Sequence, residues 1–435
     1  MQTPTVTFVT LGCKVNQTES EAVAQLFRQE GYRVVDSGEP ADVVVVNTCT
    51  VTNTGDSKSR QVIRRMIKAN PESFIVVMGC YAQTAPGEVL NIEGVDLVLG
   101  TQDRNRILEY IETTRAAQKP QNAVQQIGEA RDFEELPLLE EETRTRATLK
   151  IEEGCNQFCT YCIIPYARGP VRSRRPENAL TEARKLIEAG YKEIVLTGIH
   201  TGAYGQDLGS QWDLTGLVRE LVQIQGLERL RLSSIEPMEF TPRLIQAIEE
   251  SGVVCRHLHI PLQSGSDTVL ARMKRPYTLA DYAELLQNLR EKLPGLAVTT
   301  DVIVGFPGES EEDHQEALDF VADCKFAGMH VFPYSRREGT PAAGYPEQLP
   351  NAVKQKRVRE MLEVARQSRK RYQRHFVGQV LDVLIETVDE AGTAFGHTGN
   401  YLEVSLPTAD AKEPWKVGSL VWVNLNAEHL GLTKT

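Results

Sequence analysis

The sequence predicts an α/β protein that combines a doubly wound parallel sheet, a partial (βα)6 barrel of the TIM type and a small antiparallel β-barrel. Three observations lead to this fold class. Strand-like and helix-like segments alternate up to about residue 115, alternate again over 145–345, and give way to closely spaced short strands after 375. The domain boundaries that follow are 3–116, a linker over 117–144, the partial barrel over 145–372 and the small barrel over 373–435.

The N-terminal part contains short β-branched runs, such as VVVV at 43–46 and FIVV at 74–77, bounded by Gly, Asn and Pro. Helix-like stretches lie between these runs. Continuous apolar strands that alternate with helices are typical of parallel sheets covered on both faces. The stretch over 117–144 is rich in Gln and Ala and then acidic, which indicates a linker.

The central part offers six strand candidates with helical segments between them. Six successive βα units predict an open barrel of parallel strands, and in such folds the chemistry takes place at the C-terminal ends of the strands. Beyond 375 four short strand candidates follow one another without a helix, which fits a small antiparallel barrel.

The composition is that of an ordinary water-soluble protein, with 41% hydrophobic and 25% charged residues in 435. No apolar run approaches the roughly 20 residues that span a bilayer. The N-terminus also lacks the basic and apolar regions of a secretory signal, so we expect a cytoplasmic protein. The net charge of −11 excludes a protein coated with nucleic acid over its whole surface, but it allows local basic stripes.

Three of the eight cysteines have the spacing C-x3-C-x2-C on a loop directly after the first strand of the partial barrel. Three thiolates on one loop can bind three irons of a 4Fe–4S cluster and leave the fourth iron open. The alternative, structural zinc, requires four ligands, and no fourth ligand is evident nearby. We therefore expect Cys155, Cys159 and Cys162 to hold an iron–sulfur cluster.

A second group of cysteines consists of Cys13, Cys49 and Cys80, each of which ends a predicted strand. The C-terminal ends of parallel strands lie side by side where ligands bind, so these thiolates can converge. Gly12 and Gly79 would let a bulky cluster approach the backbone. The alternative is three buried packing cysteines. The position of all three at strand ends favours a second cluster with an open iron that can hold sulfur.

Dense motifs extend over nearly the whole chain, among them TLGCKVNQTES, VVNTCTVTN, MGCYAQ, EEGCNQFCTYCIIPYARGPVRSR and HVFPYSRREGTPAA. The sequence resembles the methylthiotransferases, which join a three-cysteine domain, a radical S-adenosylmethionine (SAM) barrel and a C-terminal TRAM domain. The LGCKVNQ and NTCTVT motifs look most like the branch that acts on N6-threonylcarbamoyladenosine at position 37 of tRNA. The branches that modify isopentenyladenosine-37, with a GCQMN-like motif, or an aspartate of ribosomal protein S12, with GCPKN, are the alternatives.

The resemblance implies a transferase that inserts a methylthio group at carbon 2 of that adenosine in the anticodon loop. It implies two 4Fe–4S clusters and SAM as cofactors, and an electron donor protein and a sulfur donor as partners, with no membrane. The cluster on the C-x3-C-x2-C loop would reduce SAM to a 5′-deoxyadenosyl radical, and the N-terminal cluster would carry the sulfur. No catalytic residue is assigned beyond the cluster ligands. A hypothesis of another class is an RNA-binding module whose clusters are only structural.

The resemblance also implies contacts to SAM and polar groups at the rim of the barrel, at the ends of its second to fifth strands. The residues assigned to this set are Thr197, Gly198, His200, Ser234, Glu236, Gln263, Ser264, Val304, Gly305 and Phe306.

Three basic clusters are candidates for contact with tRNA phosphates. They are Arg60, Arg64 and Lys68; Arg172, Arg174 and Arg175; and Arg369, Lys370 and Arg371. By contrast, residues 376–435 contain three lysines, no arginine and eight acids. This last domain either reads RNA shape through groups such as Phe395, His397 and Tyr401 or is chiefly structural, and the sequence leaves both open.

Overall fold

The fold is that of a computed structural model, which describes residues 3–50, 53–137, 145–209, 212–411 and 413–433. The chain divides into two compact units. Unit one consists of Met1–Glu141, Lys150–Arg174 and Ser335–Ala343, and unit two of Glu142–Leu149, Arg175–Tyr334 and Gly344–Thr435. Both groups of cysteines therefore belong to unit one. The four-part division of the sequence at 116, 144 and 372 stays a prediction.

The elements are numbered in chain order. The strands are β1 (Thr5–Thr10), β2 (Arg33–Val35), β3 (Val43–Thr48), β4 (Phe74–Gly79), β5 (Leu97–Val98), β6 (Gln121–Asn122), β7 (Arg146–Lys150), β8 (Glu152–Glu153), β9 (Arg172–Ser173), β10 (Glu193–Thr197), β11 (Arg229–Leu232), β12 (His257–His259), β13 (Ala297–Val304), β14 (Gly328–Pro333), β15 (Val380–Val388), β16 (Ala394–Thr398), β17 (Glu403–Leu406) and β18 (Leu420–Asn424). The helices are α1 (Lys14–Gln29), α2 (Asn53–Ala69), α3 (Cys80–Thr84), α4 (Pro86–Leu90), α5 (Ile107–Ala117), α6 (Ile164–Arg168), α7 (Pro176–Glu188), α8 (Leu214–Leu221), α9 (Pro242–Glu250), α10 (Asp267–Arg272), α11 (Leu279–Lys292), α12 (Glu311–Cys324) and α13 (Asn351–His375).

Unit one is organised around a parallel sheet with the strand order β2-β1-β3-β4-β5-β6. Strand β3 is buried along its whole length, and its valines alternate between two cores. Val43 and Val45 pack with α1 and α5, whereas Val44 and Val46 pack with α2 and α4. Helices therefore cover both faces of the sheet, which confirms the predicted doubly wound arrangement.

Unit two contains the strands predicted for the partial barrel, in two sheets with the orders β11-β10-β7 and β12-β13-β14. The pairs β10–β11, β12–β13 and β13–β14 are parallel. Two isolated parallel bridges, Leu230–Val254 and Gln263–Val302, lie outside the named pairs. Within the described part of the chain these strands do not close into a full barrel, in agreement with the partial barrel expected.

The C-terminal strands form a separate antiparallel sheet with the order β17-β16-β15-β18, as expected from sequence, and within the described residues this sheet does not close into a barrel. The apolar face is completed by Tyr372 and Phe376 at the end of α13 and by Leu425 and Leu430 after β18. The sheet therefore closes its core with a helix and a tail.

Charged and aromatic side chains connect this sheet to the barrel strands of unit two. Glu193 is buried and forms ion pairs with Arg229 and Arg231, and Arg229 also pairs with Asp382 of β15. The Tyr401 ring stacks on His257 at 4.4 Å and on His397 at 4.8 Å between centroids. Of the aromatic groups suggested for RNA contact, Tyr401 and His397 are thus engaged within the unit.

Candidate functional site

The N-terminal cysteines lie at the ends of three neighbouring strands. Cys13 precedes α1, Cys49 follows the last residue of β3, and Cys80 is the first residue of α3, directly after β4. Strands β1, β3 and β4 are adjacent and parallel, so the three residues share one edge of the sheet. This is the juxtaposition expected from sequence, and binding of a cluster by these residues stays a prediction.

Two glycines allow the cysteine loops to pack closely. Gly12 has φ +110°, and a Cβ there would lie 2.9 Å from Cys49 Cβ and 3.2 Å from its Sγ. Gly79 has φ +98°, and a Cβ there would lie 2.6 Å from the Thr48 carbonyl oxygen. These glycines make room for the neighbouring loop, whereas the sequence had suggested room for a cluster.

Asn16 ties the N-terminal loops together from within the LGCKVNQ motif. Its Nδ2 donates to the carbonyl oxygens of Leu11 and Thr48, at 2.9 Å each. Its Oδ1 accepts from the Cys13 thiol at 3.7 Å and from Arg168 Nη2 at 2.7 Å. The side chain therefore fixes the loops that carry Cys13 and Cys49.

The loop with Cys155, Cys159 and Cys162 is anchored by backbone bonds. Cys155 N donates to Gly169 O at 3.0 Å, and Cys162 N donates to Cys159 O at 3.0 Å. Ala342 N donates to Thr160 O at 2.8 Å, from the third chain segment of unit one. Cys159 is buried, whereas Cys155 and Cys162 are partly exposed, so the loop presents thiols at a surface.

The thiols of Cys80 and Cys155 have raised pKa values. Burial raises the pKa of the Cys80 thiol to about 12; the Arg168 guanidinium opposes this rise, and Cys13 and Cys49 add to it. Burial also raises the pKa of Cys155, a backbone bond from Gln157 opposes this rise, and Cys162 and Cys159 add to it. Burial therefore favours the neutral thiol at both positions.

Each three-cysteine group supplies the type of ligand that holds 4Fe–4S clusters. No group of three or more His, Cys, Asp or Glu side chains in the described ranges is spaced to hold one metal ion. A 4Fe–4S cluster spreads three cysteine ligands over three irons, so its thiolates need not converge on one point. Each group supplies three sulfur donors and is stiffened by close loop packing, and the residues present therefore fit such a cluster.

Beneath the N-terminal cysteines lies a buried network of ions that sequence reasoning missed. Glu19 Oε1 contacts Arg104 Nη1 at 2.5 Å, Lys150 Nζ at 2.7 Å and Arg168 Nη1 at 2.6 Å. Glu153 also contacts these three cations. Although burial by itself raises the pKa of Glu19, the cations hold it well below its ordinary value. Both carboxylates therefore stay ionised at neutral pH.

A signal for this network was present in the sequence. Glu19 and Asn16 lie on α1 at a spacing of three residues, within one motif that also contains Cys13. Lys150, Glu152 and Glu153 interrupt the apolar pattern of a buried strand directly before Cys155. Charged residues in otherwise buried elements indicate paired ions.

The residues assigned to SAM binding all lie at the C-terminal ends of β10 to β13 in unit two. His200 is buried and contacts Glu239 at 2.6 Å, and Glu236 forms an ion pair with Arg275. Gln263 has φ +66° and bonds through its backbone to Asp301 and Ile303. Thr197, Ser264, Val304 and Phe306 are buried, Gly198 is partly buried, Ser234 is exposed, and Gly305 has φ +75°. The strand ends are where the sequence placed them, and SAM contact stays a prediction.

The basic residues assigned to RNA divide into exposed and internal ones. Arg172 is buried and donates to the carbonyl oxygens of Arg168 and Pro170, and Arg174 is buried against Glu135. Both side chains are buried and bond to partners within unit one, and their contact with tRNA phosphates stays a prediction. Arg60 is partly buried and donates to Tyr81 Oη at 2.9 Å. The exposed or partly exposed remainder is Arg64, Lys68, Arg175, Arg369, Lys370 and Arg371.

Arg369 and Lys370 line a cleft of about 610 Å³ between α13 and the C-terminal sheet. The half-exposed Phe395 ring and His397 lie on the other wall. Arg369 also pairs with Glu403 at 2.5 Å. The cleft therefore combines cations with an aromatic face in a domain that is acidic overall.

Comparisons with known proteins agree with this architecture. Residues 149–321 match the radical SAM superfamily, and residues 5–100 match an uncharacterized protein family, UPF0004. The threonylcarbamoyladenosine tRNA methylthiotransferase MtaB of Bacillus subtilis is 51% identical over 405 residues, which cover 92% of this chain and 90% of that protein. The chain belongs to the radical SAM methylthiotransferase family. It is thus an enzyme that transfers a sulfur-containing group, as the sequence motifs predicted, and membership implies SAM and a 4Fe–4S cluster as cofactors.

Two further relatives of this methylthiotransferase bear on which modified adenosine its branch of the family acts on. The MtaB of Aquifex aeolicus is 39% identical over 96% of this chain and 99% of that protein. The tRNA-2-methylthio-N(6)-dimethylallyladenosine synthase of Moorella thermoacetica is also 39% identical, over 88% of this chain and 87% of that protein. The higher identity to the Bacillus protein supports the predicted threonylcarbamoyladenosine branch over the alternatives.

Solved structures support the fold of the methylthiotransferase. The radical SAM methyltransferase TsrM from Kitasatospora setae, solved with cobalamin and a 4Fe–4S cluster, aligns with a TM-score of 0.59 at 15% identity, covering 78% of this chain and 74% of that one. At this identity the likeness concerns the fold alone. Among the described residues, no helix is both long and apolar enough to cross a membrane.

Proposed function

We propose that this protein inserts a methylthio group at carbon 2 of N6-threonylcarbamoyladenosine at position 37 of tRNA, in the cytoplasm. The observation that carries the proposal is the presence of two separate three-cysteine groups in unit one of a methylthiotransferase. One group lies on a single loop and the other lies at three adjacent strand ends. The name of the Bacillus relative supports the substrate.

The two groups take different roles in the proposal. Cys155, Cys159 and Cys162 hold one 4Fe–4S cluster, and Cys13, Cys49 and Cys80 hold a second. When bound, the first cluster with SAM supplies the radical chemistry needed at an unactivated C–H bond, and the second supplies bound sulfur. The chain's own contribution is to hold the thiolates, to bind SAM at the rim of unit two and to position the tRNA.

Aromatic groups beside the radical loop suit a nucleobase. Phe158 and Tyr166 are 56% and 46% exposed, and their rings meet edge to face at 5.7 Å. Exposed aromatic rings stack on unpaired bases, and position 37 belongs to an anticodon loop. Exposed cations at Arg64 and Lys68 on α2 and at Arg369 and Lys370 on α13 would contact tRNA phosphates. An electron donor protein and a sulfur donor complete the partners.

The first test is iron and sulfide quantification on anaerobically reconstituted protein. We expect about eight irons per chain, falling to about four when either cysteine group is replaced by Ala. Cys255→Ala and Cys324→Ala, which change two buried cysteines outside the groups, should leave the iron content unchanged. Iron that is unaffected by Cys13, Cys49 and Cys80 would contradict the second cluster.

The second test distinguishes the substrates. The gene should restore methylthio-threonylcarbamoyladenosine to a strain that lacks it, as measured by mass spectrometry of tRNA nucleosides. Restoration of the isopentenyladenosine product, or a mass change in ribosomal protein S12, would favour the alternative branches. An RNA-binding module with structural clusters would give none of these and would release no 5′-deoxyadenosine from SAM.

A further inference from the structure

Arg168 is a fully buried arginine that contacts one of the N-terminal cysteines directly. It is the last residue of α6, in the chain that follows the radical loop, and its side chain is 0% exposed. Its Nε donates to Cys80 Sγ at 3.1 Å. Nη1 donates to Glu19 at 2.6 Å, and Nη2 donates to Asn16 at 2.7 Å. Every nitrogen of the guanidinium thus has a partner, and the group is fixed in orientation.

The surrounding ions balance one another. Arg104, Lys150 and Arg168 face Glu19, Glu134 and Glu153, so these six side chains carry no net charge. Arg168, one of these six side chains, also donates a hydrogen bond to Cys80 Sγ. Arg168 is therefore placed to act on the sulfur of Cys80, whereas Arg104 serves the carboxylates and makes no described contact to a cysteine.

We propose that Arg168 is a positioning residue that orients the Cys80 thiolate and raises the reduction potential of the cluster held by Cys13, Cys49 and Cys80, an inference that rests on the proposed function. A hydrogen bond to a ligand sulfur withdraws electron density and favours the reduced cluster, which carries more negative charge. The described bonds of Arg168 reach none of the three cysteines of the radical loop. Arg168 thereby raises the reduction potential of the N-terminal cluster without acting directly on the cluster of the radical loop.

The potential of the isolated N-terminal cluster tests the inference. In a background with Cys155, Cys159 and Cys162 replaced by Ala, an EPR-monitored redox titration compares the background with Arg168→Lys, which keeps the charge and loses the Nε donor. We expect the ratio of reduced to oxidised cluster at a fixed potential to fall about tenfold, or about 59 mV for a one-electron couple.

Arg104→Lys is the matched control, because Arg104 shares the Glu19 and Glu153 partners of Arg168. We expect Arg104→Lys to leave the reduction potential of the N-terminal cluster unchanged. Equal potentials in the Arg168→Lys and Arg104→Lys proteins, with iron content intact, would overturn the inference and leave the proposed function standing. Absence of iron from the Cys13, Cys49 and Cys80 group in the background protein would overturn both.

A second measurement needs no substitution at Arg168. The sample is protein that contains only the N-terminal cluster and carries 15N at arginine Nε. Electron spin echo modulation should show a nitrogen coupling to the reduced cluster. This coupling should differ between the 15N-labelled and the unlabelled protein. The complementary protein, with Cys13, Cys49 and Cys80 replaced by Ala, should not show it. A reduced N-terminal cluster without this coupling contradicts the bond, even if Arg168→Lys cannot be purified.

Discussion

Arg337 Nη2 donates a hydrogen bond of 2.6 Å to Thr50 Oγ1, the hydroxyl of the residue that follows Cys49. Thr50 in turn donates to Asp56 at 2.8 Å, and Arg337 forms an ion pair with the same carboxylate. Ala342, in the same short segment, bonds to Thr160 inside the radical loop. The segment Ser335–Ala343 of unit one therefore braces a loop of each cysteine group.

Replacement of Arg337 should loosen the loop that carries Cys49. Arg337→Ala removes charge-assisted hydrogen bonds worth about 1.5–3 kcal/mol each and leaves Asp56 without its buried partner. We expect a lower temperature of unfolding and partial loss of iron from the N-terminal group, measured by calorimetry and iron assay. Arg336→Ala is the control, since the exposed Arg336 bonds to the Ala343 carbonyl oxygen. Equal iron contents would contradict the bracing role.

Glu19→Gln tests the buried network. The change leaves Arg104, Lys150 and Arg168 with one carboxylate fewer, and uncompensated buried charge costs about 3–5 kcal/mol. Denaturant unfolding of the protein should show this loss. Glu30→Gln, an exposed position at the end of the same helix, should stay within about 0.5 kcal/mol of the parent. A Glu19→Gln protein as stable as the Glu30→Gln protein would rule out the network as a stabilising feature.

Acid should weaken unit two through Glu193. Burial alone raises the pKa of this carboxyl, but Arg231 and Arg229 hold it below the ordinary value of 4.5. Because the folded form binds the proton less readily, its contribution is fully present above pH 4.5 and is lost as the pH falls through the lower folded value. The free energy of unfolding of Glu193→Gln should depend less steeply on pH over that window. Parallel pH profiles for the two proteins would refute this assignment.

Removal of exposed cations should weaken tRNA binding in a manner that depends on salt. For each tRNA phosphate that Arg64 or Lys68 no longer neutralises, the slope of log affinity against log salt should fall by about 0.7–0.9. Filter binding at several salt concentrations measures the slope. Arg106→Ala is the control, because this exposed arginine lies outside α2 and pairs with Glu109 of α5. A slope unchanged by Arg64→Ala with Lys68→Ala would remove α2 from the RNA surface.

Phe158→Ala should impair the reaction with tRNA more than the cleavage of SAM. The ring is half exposed within the radical loop, between Cys155 and Cys159, and stacking on a base is worth about 1–3 kcal/mol. We expect a raised KM for tRNA, with release of 5′-deoxyadenosine in the absence of tRNA largely preserved. Phe332→Ala removes another exposed phenylalanine, on β14 of unit two, and gives the comparison. Loss of SAM cleavage in Phe158→Ala would show that the ring supports the loop.

The arrangement of Cys13, Cys49 and Cys80 could be predicted because strand periodicity and the rule for parallel strand ends act locally along the sequence. The partners of Glu19 could not, since Arg104, Lys150 and Arg168 reach it from distant segments, although Lys150 interrupts the apolar pattern of a buried strand. The burial of Arg172 and Arg174 could not be predicted either, because a charge run looks alike whether it faces solvent or internal carbonyl oxygens. The antiparallel C-terminal strands could be predicted from their short alternating runs, whereas the packing of Tyr372 and Phe376 against them could not, because it is a tertiary contact.

The division of unit one into three stretches of chain affects its biosynthesis. A ribosome must translate as far as residue 343 before the unit has all its parts, since Ser335–Ala343 belongs to it. The cysteines nearest the start of the polypeptide therefore wait for roughly three-quarters of the chain before their brace at Arg337 exists. The segment that braces the loop of Cys49 is consequently among the last parts of unit one to be synthesised.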